Sequence, residues 1–381
     1  MRKIILALLI ALVIAVLSLL MDFPYRDPAS IEPAGEDSFG DTLSADDKGF
    51  ERAYTPRSFS FPRDFGAHER YQKEWWYFTG NLQTAKGRKF GYELTFFRYA
   101  LASDRPVSKS TWRTNQLYMA HMALTDVEGE RFYADERFSR AGNGLAGAQS
   151  DRYHVWLYDW LAEGQIDDEF TVRLSARNRE MAINLHLQTQ HAPVLQGDKG
   201  LSQKSPAPGN ASYYYSYTRL ATSGTVAVNG KLFDVNGESW MDREWSTSAL
   251  SKEQSGWDWF ALQLDDHSEL MLFRFRRKDG QPDLNSAGSL FLADRTQIPL
   301  AHRDVVIEVL DHWTSPHSKI TYPARWRLSV PSRALQLEIV PLIHDQELNL
   351  SYRYWEGAVS VRGLLNGKVI GGKGYVELTG Y

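Results

Sequence analysis

The second half of the chain repeats the order of motifs found in the first half, and this duplication restricts the possible folds more than any other feature. Residues 74–78 (EWWYF) are echoed by residues 257–260 (WDWF). Residues 214–217 (YYSY), which precede an Asn-Gly-Lys motif at 229–231, are echoed by residues 352–355 (YRYW), which precede the same motif at 366–368. We therefore predict two related domains in tandem rather than one large domain.

Each half consists of short alternating apolar runs separated by turn residues. In the first half such runs lie at 90–97, 117–124, 153–160, 170–174 and 183–187. Many short strands, with Gly, Asn and Asp between them and no long helical period, are typical of an all-β sandwich or barrel. We predict an all-β fold with two antiparallel β-barrels of about eight strands each.

The N-terminus predicts a membrane anchor. Arg2 and Lys3 precede an apolar run over residues 4–21, and no Ala-x-Ala cleavage motif closes that run. This order is typical of a signal peptide or a membrane-anchor helix whose basic end stays in the cytoplasm. We predict that residues 1–21 are one of these, with the uncleaved anchor favoured. The rest of the protein is then periplasmic, secreted or anchored to the inner membrane by residues 4–21.

The remaining boundaries follow from composition. Residues 22–55 are rich in Pro, Asp, Glu, Ser and Gly and have no apolar period, which predicts a flexible tether. The first barrel is then expected at 56–245 and the second at 246–381.

Composition also excludes several classes of function. The chain has no cysteine, which rules out disulfides, thiolate metal sites and a cysteine nucleophile. A formal net charge of -4 without a long basic run predicts no nucleic-acid binding. The sequence has no Gly-x-Ser-x-Gly elbow for a serine hydrolase and no paired-histidine spacing for a metal. We predict no metal and no other cofactor.

The segment at 240–245 (WMDREW), where the first half leads into the second, carries the most candidate chemistry. In an extended strand, Trp240, Asp242 and Glu244 point to one side and the residues between them to the other. Carboxylates beside tryptophan on one strand face either meet buried partners or line a cavity. The segment is therefore a candidate site or a structural salt bridge that clamps the two halves together.

Glu74 is a second candidate, because alternation places it on one strand face with Trp76 and Phe78. A carboxyl among aromatic rings has a raised pKa and can act as a general acid. The alternative is a structural charge that pairs with an arginine such as Arg98 or Arg243.

Two histidines complete the candidate set. His121 lies on an apolar strand face, which predicts an inward position in the barrel, and if it or His68 meets Asp242 or Glu244, an acid–base pair forms. The predicted catalytic residues are Asp242, Glu244, Glu74 and His121. The predicted ligand-binding residues are His68, Trp75, Trp76, Tyr77, Trp240, Arg243, Trp245, Trp257 and Trp259.

Longer motifs resemble the AttH-like proteins, bacterial secreted lipocalin-like proteins that are grouped with the carotenoid 1,2-hydratases and often labelled hydrolases. The motifs, which extend to the last residue, lie at 61–64 (FPRD), 66–68 (GAH), 74–77 (EWWY), 80–82 (GNL), 120–126, 240–245, 256–260 (GWDWF), 354–359 (YWEGAV) and 374–381 (GYVELTGY). The resemblance implies two lipocalin-like barrels in tandem. It also implies an extracytoplasmic partner role beside an ABC transporter permease.

The resemblance to the hydratase branch has one departure. That branch, which hydrates an isoprenoid double bond, has a histidine in the motif that corresponds to residues 242–245, and here the position is Arg243. Because a guanidinium does not exchange its proton near neutral pH, carotenoid hydration through this residue is not expected.

Three functions fit the sequence. The first is a membrane-tethered carrier whose aromatic barrels bind a hydrophobic or amphipathic molecule in connection with an ABC-type transporter. The second is a lyase or hydrolase that applies acid–base chemistry to an isoprenoid or lipid. The third is a scaffold for a permease, with the acids as clamps between the barrels.

Overall fold

Two long hairpins, each turning on an Asn-Gly pair, give the two halves of the molecule the same organisation. Asn229 and Gly230 have φ angles of 49° and 78°, and Asn366 and Gly367 have φ angles of 51° and 76°. A two-residue hairpin turn of this type needs left-handed backbone at both positions, which Asn and Gly tolerate best. The repeated motif therefore builds the same hairpin twice.

The computed structural model describes residues 47–104, 107–166, 169–247 and 250–381. The predicted anchor at 4–21 and the predicted tether up to residue 46 lie outside these ranges. Within them, no helix is both long enough and apolar enough to span a membrane.

Antiparallel strands make up the two halves. The first half contains β1 (Lys73–Gln83), β2 (Lys89–Ala100), β3 (Gln116–Asp126), β4 (Arg131–Arg140), β5 (Ala146–Gln149), β6 (Tyr153–Leu157), β7 (Trp160–Ile166), β8 (Phe170–Arg177), β9 (Met181–Thr189), β10 (Val194–Leu195), β11 (Leu201–Gln203), β12 (Ala211–Val228) and β13 (Lys231–Ser246). The second contains β14 (Gln254–Leu264), β15 (Glu269–Arg277), β16 (Ala287–Phe291), β17 (Gln297–Ala301), β18 (Val306–Thr314), β19 (Thr321–Val330), β20 (Leu335–Pro341), β21 (Glu347–Leu348), β22 (Tyr354–Leu365) and β23 (Lys368–Thr379). Short 3-10 helices lie at Arg63–Phe65, Gly142–Gly144, His302–Asp304 and Pro331–Arg333.

The two sheets have the same strand order. The first runs β4-β3-β2-β1-β13-β12-β9-β8-β7-β6-β5, and the second runs β17-β16-β15-β14-β23-β22-β20-β19-β18. Every strand of the second path has a counterpart in the first, whereas β5 and β6 have none. The duplication seen in the sequence is thus a duplication of barrel topology, with more strands in each barrel than the eight or so expected.

Each sheet curls around its own core, and a third apolar cluster lies between the two barrels. Trp76, Trp160 and Trp245 are fully buried in the first core, and Trp326 and Trp355 in the second. The cluster between the barrels comprises Tyr77, Tyr214, Trp240, Trp259, Ala261, Met271, Phe273, Phe275, Ala358 and Tyr375. Strands such as β1, β13, β14 and β23 are therefore covered on both faces.

The described end of the predicted tether is part of the packed body. Ala53 is buried in the first core, the Thr247 hydroxyl donates to the carbonyl of Glu51, and Tyr213 Oη donates to the carbonyl of Thr55 over 2.9 Å. The packed body therefore begins before the boundary expected at residue 55, because Ala53 is part of the barrel core and this segment is hydrogen-bonded to the barrel.

Candidate functional site

The predicted site residues separate onto the two faces of β1 and β13. Trp76 and Arg243 pair across these strands inside the first barrel, whereas Tyr77 and Asp242, paired one position further along, face the second barrel. The alternation predicted for residues 240–245 is observed. The inner group comprises Glu74, His68, Trp76, Arg243 and Trp245. The group between the barrels comprises Trp75, Tyr77, His121, Trp240, Asp242, Glu244, Trp257 and Trp259.

Glu74 lies inside the first barrel between two guanidinium groups. Arg98 Nε donates to one of its oxygens and Arg243 Nη2 to the other, and all three side chains are fully buried. Burial acts to raise the pKa of Glu74, but the two positive charges outweigh it and hold that pKa well below its usual range. The predicted raised pKa is wrong, and the alternative, a structural charge paired with Arg98 and Arg243, is what the structure contains.

His68 closes this inner cluster from the segment that precedes β1. Its ring nitrogens lie 3.1 Å from Asp64 Oδ1 and 3.2 Å from Glu74 Oε2. Its ring also stacks on Trp245 with centroids 3.8 Å apart. The charges of the cluster face opposite charges, which is the arrangement of a structural ion-pair network that fastens this segment to the barrel.

A row of polar side chains crosses the outer face of the first barrel. Strand register aligns Ser216 of β12, Asp242 of β13, Tyr77 of β1, Thr95 of β2 and His121 of β3. Side chains directly opposite one another in antiparallel strands share a face. All five are buried, because the second barrel covers this face.

The second barrel presents carboxyls to this row. Glu356 of β22 pairs with Glu377 of β23, which pairs with Trp259 of β14. Tyr77 Oη donates to Glu356 Oε1 over 2.6 Å, and Tyr354 Oη donates across the interface to Glu93 Oε1 over 3.0 Å. We call the following residues the inter-barrel cluster: Tyr77, Glu93, His121, Asp242, Tyr354, Glu356 and Glu377.

Asp242 is held by three donors in an apolar setting. Its carboxyl accepts hydrogen bonds from Trp240 Nε1 at 2.6 Å, from Ser216 Oγ at 2.5 Å and from Tyr214 Oη. Burial raises the pKa of Asp242 to about 7, although these three hydrogen bonds lower it. Asp242 therefore exchanges its proton near neutral pH.

Glu93 and Glu356 are two fully buried carboxyls within the cluster. Burial raises the pKa of both, and the charge of Glu93 raises that of Glu356 further. Because no cation among the described residues faces either carboxyl, the pair retains at least one proton near neutral pH. Glu93 Oε2 and Glu356 Oε2, together with His121 Nε2, are buried without a hydrogen-bond partner among the described residues. Each of these atoms can form one further hydrogen bond.

The mouth of the cluster is aromatic and partly exposed. Trp75 and Trp257 are half-buried against the apolar cluster between the barrels. Trp257 Nε1 donates to Glu377 Oε1 over 2.5 Å, and burial, with the charge of Glu93, raises the pKa of Glu377 to about 8. Glu244 beside Trp75 is neutralised by Lys204 Nζ at 2.8 Å. Half-buried indole rings therefore lie beside a buried carboxyl with a raised pKa.

The inward position predicted for His121 is wrong. The side chain leaves the first barrel on its outer face, and its Nδ1 lies 2.8 Å from Tyr354 Oη of the second barrel. Both faces of β3 are apolar, since one lines the barrel core and the other is covered by the second barrel. The alternation of residues therefore predicted correctly that His121 is on a buried face, but it could not distinguish the inside of the barrel from its covered outside.

The four predicted catalytic residues do not meet in one place. Asp242 and His121 share a row but are separated by β1 and β2, and Glu74 lies on the opposite face. Sequence reasoning missed Glu93, Glu356 and Glu377. A usable signal was present, because each of these acids stands in a strand of aromatic and aliphatic residues that predicts burial.

No three His, Asp or Glu side chains in the described ranges are arranged to hold a metal ion. A groove of about 580 Å³ lies elsewhere, lined by residues 191–195 and 197–199 of the first half together with Arg295, Gln297 and Pro299 of the second. It shares no residue with the inter-barrel cluster.

Known proteins share this architecture. A crystal structure of an AttH protein from Nitrosomonas europaea is 33% identical, has a TM-score of 0.78, and covers 87% of this chain and 99% of that one. Kievitone hydratase from Nectria haematococca is 14% identical, with a TM-score of 0.66 over 87% of this chain and 96% of that one. CghA is 13% identical, with a TM-score of 0.51 over 88% and 97%. At these lower identities the similarity concerns the fold alone.

No curated protein matches the sequence. The family model described as AttH-like matches residues 52–381, which include both barrels and the whole inter-barrel cluster. The chain belongs to the AttH-like family.

Proposed function

We propose that the protein is an acid–base enzyme of the hydratase class, acting on a double bond of an apolar or amphipathic molecule held between the barrels. One observation carries this proposal: Asp242, Glu93, Glu356 and Glu377 are carboxyls on facing barrel surfaces with raised pKa values. A carboxyl with a pKa near 7 donates and recovers a proton at neutral pH, as general acid–base catalysis requires.

Hydration of a carbon–carbon double bond needs one proton donor and one proton acceptor. A protonated carboxyl gives its proton to one carbon, the oxygen of a water molecule bonds to the other carbon, and a carboxylate takes one proton from that water. The substrate gains one water, and the two carboxyls together end with the protons they began with. Glu93 and Glu356 fit both roles, because burial raises the pKa of each and both Oε2 atoms lack a hydrogen-bond partner among the described residues.

The surroundings of the pair support an apolar substrate. Trp75 and Trp257 at the mouth provide indole faces, and the carboxyls behind them are buried among apolar side chains. Arg243, which replaces the histidine of the hydratase branch, lies inside the first barrel with Glu74. The name of one structural neighbour, kievitone hydratase, belongs to the same reaction class, although at 14% identity it supports the fold alone.

The test starts from the full-length protein, purified gently from its own cells. Native mass spectrometry and organic extraction identify any bound molecule. The protein is then incubated with the extracted molecule in isotopically labelled water. We expect a product that differs by one water, with the label in the hydrated form.

Glu93→Gln removes the proton donor and preserves the side-chain shape. We expect the rate to fall about hundredfold or more while the molecule remains bound. Glu308→Gln, at a half-exposed position on β18, is the matched control and should leave the rate unchanged. Turnover that survives in Glu93→Gln would refute the assignment of this acid.

Ligand carriage without chemistry is the second candidate, and the aromatic mouth with its unpartnered polar atoms favours it over a scaffold. In the same experiment, stoichiometric binding with no change in mass would establish the carrier and exclude the enzyme. A protein that arrives empty and binds nothing from lipid extracts would instead support the scaffold.

We further propose that residues 4–21 hold the protein at the outer face of the inner membrane, beside an ABC-type permease that exchanges the ligand with it. The basic start followed by an apolar run, together with the family resemblance, supports this proposal. Cell fractionation and crosslinking test it, and recovery in the cytoplasm or the absence of a crosslinked permease would contradict it.

A further inference from the structure

A hydrogen-bonded chain leads away from the Glu93 carboxyl. Tyr354 Oη lies 3.0 Å from Glu93 Oε1 and 2.8 Å from His121 Nδ1. A phenol has one proton, and here Tyr354 donates it to Glu93, so its oxygen accepts the hydrogen bond of Nδ1–H. Burial lowers the pKa of His121 to about 3, which keeps the ring neutral. The imidazole therefore has its proton on Nδ1 and a bare nitrogen at Nε2.

The bare nitrogen points toward an acid that reaches the surface. His121 Nε2 is buried and has no hydrogen-bond partner among the described residues, and Glu136 Oε2 lies 3.8 Å from it. The Glu136 side chain is 23% exposed, and its carboxylate accepts hydrogen bonds from the hydroxyl and the backbone N–H of Ser351. Glu136 Oε2 thus lies just beyond hydrogen-bond distance of Nε2.

We propose that Glu136, His121 and Tyr354 form a proton path that connects solvent with the buried carboxyl of Glu93. This proposal rests on the proposed function, since each turnover leaves Glu93 without its proton and Glu356 with one more, and the path lets Glu93 regain a proton from solvent. In it, His121 and Tyr354 are relay residues rather than groups that touch the substrate.

One passage moves one proton inward. Glu136 takes a proton from water and gives it to His121 Nε2, Nδ1–H passes its proton to Tyr354 Oη, and the phenolic proton moves to the Glu93 carboxylate. Glu136 ends as a carboxylate, Tyr354 as a neutral phenol and Glu93 as an acid, and the imidazole has exchanged one tautomer for the other. A turn of the phenolic O–H, together with exchange of the imidazole proton from Nε2 to Nδ1 through water, restores the starting state.

The other side-chain hydrogen-bond partners of the two carboxyls do not provide this connection. Thr95 Oγ1 donates to Glu93 over 2.7 Å and Tyr77 Oη donates to Glu356 over 2.6 Å, and both side chains are buried. The His121 ring itself is packed between Phe97 and Tyr354, with ring centroids 5.2 Å and 5.6 Å away. The ring is thus held in line between Glu136 and Tyr354.

The experiment measures proton exchange of the buried carboxyl directly, without turnover. The full-length protein is mixed rapidly with D₂O, and infrared spectroscopy follows the carbonyl stretch of protonated carboxylic acids. The component of this band that is lost in Glu93→Gln is assigned to Glu93, because Asp242 and Glu377 also contribute to the band. We expect exchange in Tyr354→Phe and in Glu136→Gln to be slower than in wild type by about tenfold or more, because it then waits for opening of the interface.

Tyr352→Phe is the matched control, since its ring lies 5.8 Å from that of Tyr354 but outside the path. Exchange as fast in Tyr354→Phe and Glu136→Gln as in wild type overturns the path, as does an equal slowing in Tyr352→Phe. Absence of the band in wild type contradicts the proposed function instead, because no protonated carboxyl is then present. Glu136→Gln changes a partly exposed position, so its result does not depend on whether the buried variants fold.

Discussion

Glu74 and Asp242 lie on opposite faces of the same two strands, and their pKa values move in opposite directions. Both carboxyls are buried, which raises the pKa of each. Glu74 meets two guanidinium groups, and their charge reverses the effect, whereas Asp242 meets only neutral donors, which do not. The nature of the partner, rather than burial, separates the structural acid from the candidate catalytic one.

Replacement of Glu74 tests its structural role. In Glu74→Gln, two buried arginine charges lose their counterion, so we expect the free energy of unfolding to fall by about 3–5 kcal/mol. Urea denaturation followed by circular dichroism measures the change. Glu308→Gln breaks an ion pair with Arg327 in which both side chains are about half exposed, and should cost less than about 1 kcal/mol. Equal losses in the two variants would show that the inner cluster contributes no more than a surface pair.

At the scale of the strand, alternation predicted the two faces of residues 240–245 correctly but could not distinguish the inside of a barrel from a covered outside. The duplication and the short apolar runs were sufficient for the all-β tandem fold, because they are local properties of the chain. His121 was predicted on the wrong face and Glu93 was not predicted at all. The physical reason is the same for both, because packing of one barrel on the other makes both faces of β2 and β3 apolar. Glu93 of β2 and Glu356 of β22 are close together only because the two barrels pack on each other. No local sequence pattern reveals a contact between strands so far apart in the chain.

The aromatic mouth belongs to strands β1 and β14, and its indoles should carry ligand affinity. In the double variant Trp75→Ala and Trp257→Ala, we expect the dissociation constant for the apolar dye anilinonaphthalene sulfonate to rise about tenfold or more, since two partly buried aromatic faces are lost. Fluorescence titration measures it. Trp112→Ala, at a position that is 62% exposed, is the control. Unchanged affinity in the double variant would place the binding site elsewhere.

At the scale of the molecule, the inter-barrel cluster exists because two copies of one barrel pack through their outer faces. The clamp expected at residues 240–245 is found elsewhere in the interface, where Arg219 bridges Glu238 at 2.8 Å and Glu269 at 2.7 Å, and Lys373 lies 3.0 Å from Glu238. The cations of this interface are thus paired with Glu238 and Glu269, and among the described residues none of them lies beside the carboxyls of the inter-barrel cluster. Their raised pKa values are thus a consequence of how the whole molecule is assembled.

This arrangement makes stability depend on pH. A carboxyl whose pKa is raised on folding binds more protons in the folded state, so its stabilising contribution is complete below the unfolded pKa and is lost as pH rises through the folded pKa. Asp242 and Glu377, with folded pKa values of about 7 and about 8, lose this contribution as the pH rises from near their unfolded pKa values, and the loss is complete only by about pH 8. His121 and Lys73 oppose this loss of stability. His121, with a pKa lowered to about 3, does so only below about pH 6.5. Lys73, with a pKa lowered to about 8, does so mainly above about pH 8.

We therefore expect the free energy of unfolding to fall by about 1–2 kcal/mol between pH 6.5 and pH 8, since one pKa unit corresponds to about 1.4 kcal/mol. Urea denaturation at a series of pH values measures the slope. Glu377→Gln removes one of the titrating groups and should flatten it, whereas Asp311→Asn, at an exposed position, should not. A stability that stays constant or rises over this range would mean that the inter-barrel carboxyls are already ionised in the folded protein, and such groups cannot act as proton donors at neutral pH.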